Sequence, residues 1–237
     1  MTGLATPDRV LAVGAHPDDI EFGCGGTLAR WARDGATVIM AIVTDGSKGS
    51  WDGGRDQVEL VADRKAEQEQ AAAVLGARAV VMLDHLDGEL WHSPELRTQL
   101  CRLIRTHRPN VLLTHDPWRP YELHPDHRVT GWAVTDGLIS ARDPLFEPDM
   151  GIPPHRPEHL LLWKAAEPDH WEDISSTWAT KIEALLCHAS QGETTMDAAD
   201  QGGTRRDEFE ERMRLHAKKL GTPAGLPLAE SFKKLKP

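Results

Sequence analysis

Residues 10–29 read VLAVGAHPDDIEFGCGGTLA, and this stretch decides the fold. Its first five residues, 10–14, form a short apolar run that is typical of a strand covered by helices on both faces. The polar residues His16 to Asp19 follow at once. Beyond them, Leu28 and Trp31 stand three residues apart, as on one face of a helix. A strand, a polar loop and a helix in this order indicate the first unit of an α/β fold.

The same alternation continues along the chain. Further apolar runs predict strands at residues 37–43, 79–83, 110–115 and 159–163, and helical patterns occupy residues 58–75, the stretch after Ser93, residues 177–188 and residues 207–220. We therefore expect one α/β domain over residues 1–237, with a mostly parallel sheet flanked by helices. Irregular loops are expected near residues 142–158 and 190–204, and the C-terminal tail is expected to be irregular.

Composition narrows the class of protein. The formal net charge of −10 disfavours a nucleic-acid surface, which needs clustered Lys and Arg. No N-terminal apolar segment and no membrane-spanning run is present in the sequence, which predicts a cytoplasmic protein. The three cysteines are widely spaced and include no Cys-x-x-Cys pair, so neither a disulfide framework nor a thiolate metal site is indicated. The sequence leaves the oligomeric state open.

Imidazole and carboxylate side chains follow two of the predicted strands. His16, Asp18 and Asp19 come after the first, and the loop after the fourth ends in His124-Pro125-Asp126-His127. In an open parallel sheet the ligand lies beyond the carboxyl ends of the strands, where these two loops converge. A catalytic zinc site takes three nitrogen or oxygen ligands and leaves one position for water. The sequence therefore predicts a divalent metal site on this rim.

Neighbouring residues in these loops are expected to divide the work. The side chains of Asp18 and Asp19 diverge, so one of them is free to act as a base on a water molecule. If a helix begins at Pro125, His124 and His127 lie on the same side of it, and one can bind the metal while the other faces the substrate.

Two other classes of protein use similar elements. A dinucleotide-binding oxidoreductase needs a Gly-x-Gly-x-x-Gly turn directly after the first strand, and Asp45 would suit its acidic position. The glycines at 23, 25 and 26 come too late for that turn, and Leu28 occupies the third position. A non-haem iron oxygenase also uses two histidines and one carboxylate. The paired aspartates have no role in that chemistry.

The run at residues 15–28 resembles the signature of the PIG-L/LmbE superfamily of metal-dependent N-deacetylases. Later blocks look like those of the family in the same order, so the resemblance covers nearly the whole chain; they are Thr44-Asp45-Gly46, Arg64 with Glu67, residues 105–114, His124 to His127, His188 to Gln191 and Glu230-Ser231-Phe232. One departure is Ser47, where many members carry Glu.

The resemblance implies a Rossmann-like fold and one Zn²⁺ per chain, held by His16, Asp19 and His127. Other divalent transition metals suit the same ligands. It further implies that Asp18 is the general base and that His124 stabilises the oxyanion and protonates the leaving nitrogen. Two more residues, Arg64 and Asp87, are similar to positions that bind substrate in some members.

The expected activity is hydrolysis of an amide bond, with removal of an acetyl group from a small N-acylated sugar of the N-acetylglucosamine type. Within the same family, an amidase of a thiol or sugar conjugate is the alternative. No nucleic-acid partner and no membrane span are expected, and selectivity is expected to depend on the loops at residues 47–57, 84–92 and 142–158.

Overall fold

A computed structural model describes residues 3–192, 194 and 204–237, without the side chains of residues 204 and 205. Seven strands form one sheet in the order β3-β2-β1-β4-β5-β7-β6. The strands are β1 (Arg9–Gly14), β2 (Thr37–Thr44), β3 (Ala79–His85), β4 (Val111–His115), β5 (His159–Trp163), β6 (His170–Asp173) and β7 (Ala229–Leu235). The first five are parallel to one another, which confirms the α/β class with a mostly parallel sheet.

Helices cover both faces of the sheet. They are α1 (Asp19–Arg33), α2 (Gln57–Leu75), α3 (Pro94–His107), α4 (Pro125–Arg142), α5 (Trp178–Leu186) and α6 (Thr204–Gly221). Alternate residues of β1 point to opposite cores: Val10 and Ala12 pack with α1, α2 and α5, whereas Leu11 and Val13 pack with α3 and α4. A strand buried on both faces has to be continuously apolar, which explains the run that opens the signature.

The expectation of an irregular C-terminal tail is wrong. Residues 229–235 form β7, which pairs antiparallel with both β5 and β6. Glu230 and Ser231 are buried on this strand together with Phe232, and two lysines follow. Polar residues in buried strand positions hide the alternation on which strand prediction depends. The four-residue strand β6 is also absent from the sequence-based prediction.

The predicted helix start at Pro125 is confirmed, because α4 begins there with His124 as its N-cap residue. The loop predicted at residues 142–158 follows directly on α4, which ends at Arg142; residues 143–158 contain no strand or α-helix and one short 3-10 turn. Most of the second predicted loop, residues 190–204, lies outside the described residues. None of the helices in the described ranges is long and apolar enough to cross a bilayer.

The order of the strands determines where a ligand can bind. β1 lies between β2 and β4, so the chain leaves β1 toward one side of the sheet and later returns on the other side to form β4. Such a switch point opens a crevice at the carboxyl ends of the two strands. The loops that follow β1 and β4 carry the predicted histidines and aspartates.

Gly137 lies where α4 crosses α3, and a substitution there tests the packing of these two helices. A Cβ atom added there would lie 2.8 Å from Leu100 Cβ and 3.3 Å from the backbone nitrogen of Cys101. We expect Gly137→Ala to lower the free energy of unfolding by about 1–3 kcal/mol, because the two helices must move apart. Chemical denaturation measures this, with Gly53→Ala as control, since no atom lies within 4 Å of that position. Equal stability of both variants would contradict the helix contact.

Candidate metal and catalytic site

The loop after β1 has a strained backbone at the residue expected to act as base. Asp18 has φ 101°, in the left-handed region that disfavours residues with a side chain. Two side chains from α2 hold this turn: Arg64 donates to the Pro17 carbonyl at 2.6 Å, and the Asp18 N–H donates to Gln68 Oε1 at 3.2 Å. Strain that surrounding contacts maintain is common at functional sites. The turn directs Asp18 and Asp19 to different neighbours.

The carboxylate of Asp19 lies between the rings of His16 and His127. Its Oδ2 atom is 3.3 Å from His16 Nδ1, and its Oδ1 atom is 3.3 Å from His127 Nε2. A third imidazole, that of His115 at the end of β4, approaches Oδ2 at 3.3 Å through Nε2. The three residues that the resemblance assigns to the metal are therefore neighbours in space, although 108 positions separate Asp19 from His127 in the chain.

The second ring nitrogen of His16 faces two buried carboxylates. His16 Nε2 is 3.1 Å from Asp126 Oδ2 and 3.2 Å from Asp87 Oδ1. A histidine that shares its Nε2 proton with a carboxylate keeps the lone pair of Nδ1 free, and metal-binding histidines are commonly oriented in this way. Asp87 thus contacts a predicted metal ligand and also lines the cavity in which substrate would lie.

The ring of His124 lies against two of the other imidazoles. Its centroid is 4.5 Å from that of His16 and 4.6 Å from that of His127. Although His124 is the N-cap residue of α4, its side chain makes no capping hydrogen bond, and its Nδ1 atom is buried without a hydrogen-bond partner in the described structure. Helix capping therefore does not explain this residue.

The electrostatic surroundings of the two adjacent aspartates shift their pKa values in opposite directions. Burial raises the pKa of Asp18 to about 6, and the Arg64 guanidinium, 3.7 Å from Asp18 Oδ2, opposes that rise. Burial alone would also raise the pKa of Asp19, but His115 and His127 hold it well below its usual range. The direction of these shifts favours the ionised form of Asp19, which binding of a metal would require, and brings the pKa of Asp18 closer to neutral pH, where a general base would work.

The pKa values of His124 and His16 are also shifted in opposite directions. Burial, together with the neighbouring rings of His16 and His127, lowers the pKa of His124. Burial alone would lower the pKa of His16, but its hydrogen bonds to Asp126, Asp19 and Asp87 raise it well above the usual value. His16 thus has three carboxylates within 3.3 Å of its ring nitrogens.

The donor atoms fit a divalent metal ion. Among the described residues, three groups have ligand atoms within 4.8 Å of one another: His16, His124 and His127; Asp19, His115 and His127; and His16, Asp87 and Asp126. His127 joins the first two groups, so Asp19 and His16 each share a group with it. Mixed imidazole and carboxylate donors suit zinc and other first-row metals. A divalent cation would also balance the carboxylates that face this cluster.

A cavity of about 670 Å³ opens over the cluster. Of the predicted residues, His16, Asp18, Asp19, Arg64, Asp87, His124 and His127 all line it. Arg64 is only 3% exposed, and its guanidinium donates hydrogen bonds to the carbonyls of Pro17 and Gly46. Its position is that of a side chain that holds two loops together at the cavity wall. Ser47 is buried nearby, and its Oγ atom has no hydrogen-bond partner in the described structure.

Three residues of the site were given no role on the basis of the sequence. His115, the last residue of β4, contacts Asp19, and Asp126, in the first turn of α4, contacts His16; both are close in sequence to the other candidates. Their position was therefore a usable signal. Gln68 was not detectable, because one glutamine in a helix rich in Gln and Glu carries no sign that it accepts the Asp18 N–H.

Known proteins resemble this chain over most of its length. Diacetylchitobiose deacetylase of Thermococcus kodakarensis is 35% identical over 77% of this chain and 70% of its own. The structure of N,N'-diacetylchitobiose deacetylase from Pyrococcus horikoshii, complexed with its inhibitor MPG, superimposes with a TM-score of 0.87 at 31% identity, covering 97% of this chain and 84% of that one. A relative with a different activity, 4-oxalmesaconate hydratase of Pseudomonas putida, is 28% identical over 79% of this chain and 76% of its own.

The family described as PIG-L, GlcNAc-PI de-N-acetylase, matches residues 11–138, a stretch that includes most of β1, all of β4 and both loops of the histidine and aspartate cluster. Its relatives include N-deacetylases of substrates that contain N-acetylglucosamine. The resemblance found in the sequence is confirmed: this chain belongs to the PIG-L family.

Proposed function

We propose that this protein is a zinc-dependent N-deacetylase that removes the acetyl group from a small sugar of the N-acetylglucosamine type. The observation that carries the proposal is the position of Asp19, whose two carboxylate oxygens each lie 3.3 Å from a different histidine of the predicted ligand set. His16, Asp19 and His127 would hold the ion. A divalent cation held there supplies Lewis-acid polarisation of the amide carbonyl and lowers the pKa of a water molecule.

Asp18 accepts the proton of the attacking water. Its pKa of about 6 leaves the carboxylate mostly ionised at neutral pH and makes it a stronger base than an ordinary aspartate. It can therefore take a proton from water during the attack. The turn at φ 101° and the hydrogen bond from its N–H to Gln68 fix the direction of the carboxylate. Arg64 stabilises the ionised form through the 3.7 Å approach to Oδ2.

His124 acts on the other side of the amide. An N–H of its ring donates to the carbonyl oxygen as negative charge develops there, and in its charged form the ring protonates the departing nitrogen. The amine cannot leave as an anion at neutral pH, so this proton is required. Because the pKa of His124 is lowered, its charged form is a stronger acid and gives up the proton more readily.

His124→Ala tests this division of roles. We expect the variant to keep its metal and to lose about 10²–10³-fold in kcat, since one donor to the oxyanion is removed. Steady-state kinetics together with metal analysis measures both quantities. The ring also belongs to a possible ligand group with His16 and His127. Loss of metal from the variant would therefore make His124 a ligand and contradict the proposed role.

The activity itself is tested by a screen of N-acetylated sugars, with N-acetylglucosamine and N,N'-diacetylchitobiose as first substrates. Released primary amine and released acetate are measured in parallel, and we expect them in equal amounts. The hydratase of Pseudomonas putida makes hydration of an unsaturated carboxylic acid the second candidate. If no sugar releases amine and an unsaturated carboxylic acid is consumed, the protein is a hydratase rather than a deacetylase.

A further inference from the structure

A second cavity adjoins the first on the side of α6. Its volume is about 420 Å³, and Phe22 and Lys164 line both cavities, so the two share a wall. Trp178 and the α6 residue His216 form part of its far side. A substrate whose acetamido group lies over the metal cluster can extend past Phe22 and Lys164 into this space. The proposed function assigns nothing to it.

The second cavity is lined by basic side chains in a chain whose formal net charge is −10. Arg119, Lys164, Lys181 and His216 line it, and Glu230 is the one acidic residue among the lining residues that the structure describes. Glu230 is already paired with Lys181. Burial lowers the pKa of His216, and the nearby charges of Lys181, Lys219, Lys164 and Arg119 lower it further. The residues that line the cavity therefore carry more positive than negative formal charge.

Among these cations, Lys164 is the one best placed to bind an anionic ligand. Arg119 is 3.1 Å from Glu122, and Lys181 is held by Glu230, whereas Lys164 forms no ion pair with any carboxylate in the described part of the chain. Its backbone has φ 54°, directly after β5. Its side chain is exposed where it lines both cavities, so its charge is available to a ligand.

We propose that the second cavity is an anion subsite, in which Lys164 binds a carboxylate or phosphate group carried by the aglycone of the sugar substrate. This inference rests on the proposed function for the placement of the sugar. Lys164 stands between the two cavities and selects anionic over neutral substrates. Its contribution is modest and depends on salt, because the side chain is exposed.

The test uses ligands that differ only in the aglycone and that cannot be hydrolysed because they lack the acetyl group. Methyl α-glucosaminide is neutral at this position, carboxymethyl α-glucosaminide carries a carboxylate, and glucosamine 1-phosphate carries a phosphate. Calorimetric titration of the metal-loaded protein at low salt should show about three- to tenfold tighter binding of one or both anionic ligands than of the methyl glycoside. The arm that shows the gain identifies the preferred anion.

The matched variants are Lys164→Met and Lys65→Met. Lys65 is an exposed residue of α2 that lines neither cavity. Lys164→Met should abolish the preference for the anionic ligand and leave binding of the methyl glycoside unchanged, and Lys65→Met should retain the preference. A wild-type protein without preference, or a Lys164→Met variant that keeps it, would overturn the subsite. Because binding is measured without turnover, failure of the deacetylase activity would be seen separately, with the N-acetylated forms of the same compounds.

Discussion

Asp18→Asn is expected to retain its metal and to lose about 10²–10⁴-fold in kcat. Asparagine has nearly the shape of aspartate and can occupy a left-handed backbone conformation, so the turn at φ 101° is kept. It cannot accept the proton of the attacking water. The loss should therefore appear in kcat, whereas the metal content, measured by elemental analysis, stays at one ion per chain.

A matched control is Asp84→Asn. Asp84 also has a left-handed backbone, with φ 54°, and it is exposed at the end of β3 without lining the cavity. Activity and metal content should both be unchanged in this variant. Loss of metal and activity together in Asp18→Asn would identify Asp18 as a ligand and reverse the assignment of the two adjacent aspartates.

Asp19→Ala is expected to abolish metal binding. The carboxylate contacts the rings of His16, His115 and His127, so its removal takes away a ligand and the group that holds those rings together. The loss of affinity should exceed the roughly 10–100-fold that is typical for the removal of a partner outside the ligand set. Titration of the metal-free protein with Zn²⁺ measures the dissociation constant.

The alanine variant also removes the acceptor of the His16 backbone N–H, which Asp19 Oδ2 binds at 2.8 Å. Asp19→Asn keeps an oxygen at this place and separates loss of metal from loss of fold. We expect Asp19→Asn to remain folded, as judged by circular dichroism, and still to bind Zn²⁺ far more weakly than the wild type. Wild-type affinity in this variant would show that Asp19 is not a ligand.

Most of the parallel sheet could be predicted from the sequence, because β1, β2, β4 and β5 are apolar runs buried on both faces, and the half-buried edge strand β3 is also largely apolar. The predicted strand at residues 159–163 matches β5 to the residue. β7 was missed because Glu230 is buried by contacts with residues that are distant in sequence. Its carboxylate accepts hydrogen bonds from the Gly26 and Thr27 backbone N–H groups and from Lys181. Local pattern carries no information about such a pairing.

In the site, too, residues next to strand ends could be predicted, whereas contacts between elements distant in sequence could not. His16, Asp18 and Asp19, and likewise His124 and His127, stand beside strand ends in the sequence, and the rule that ligands bind at those ends brings the two groups together. The sequence contained no signal for the support from α2 at Gln68 or for the position of Lys164 between two cavities. These contacts depend on how whole elements pack.

We propose that the cluster around Asp19 is a metal centre for amide hydrolysis. The most direct measurement is acetate released from N,N'-diacetylchitobiose by protein that has been stripped with a chelator and then titrated with Zn²⁺. We expect no release before titration and a rate that rises until about one equivalent has been added, since one set of ligands holds one ion. Full activity in the stripped protein, or no acetate at any Zn²⁺ loading, would contradict the account.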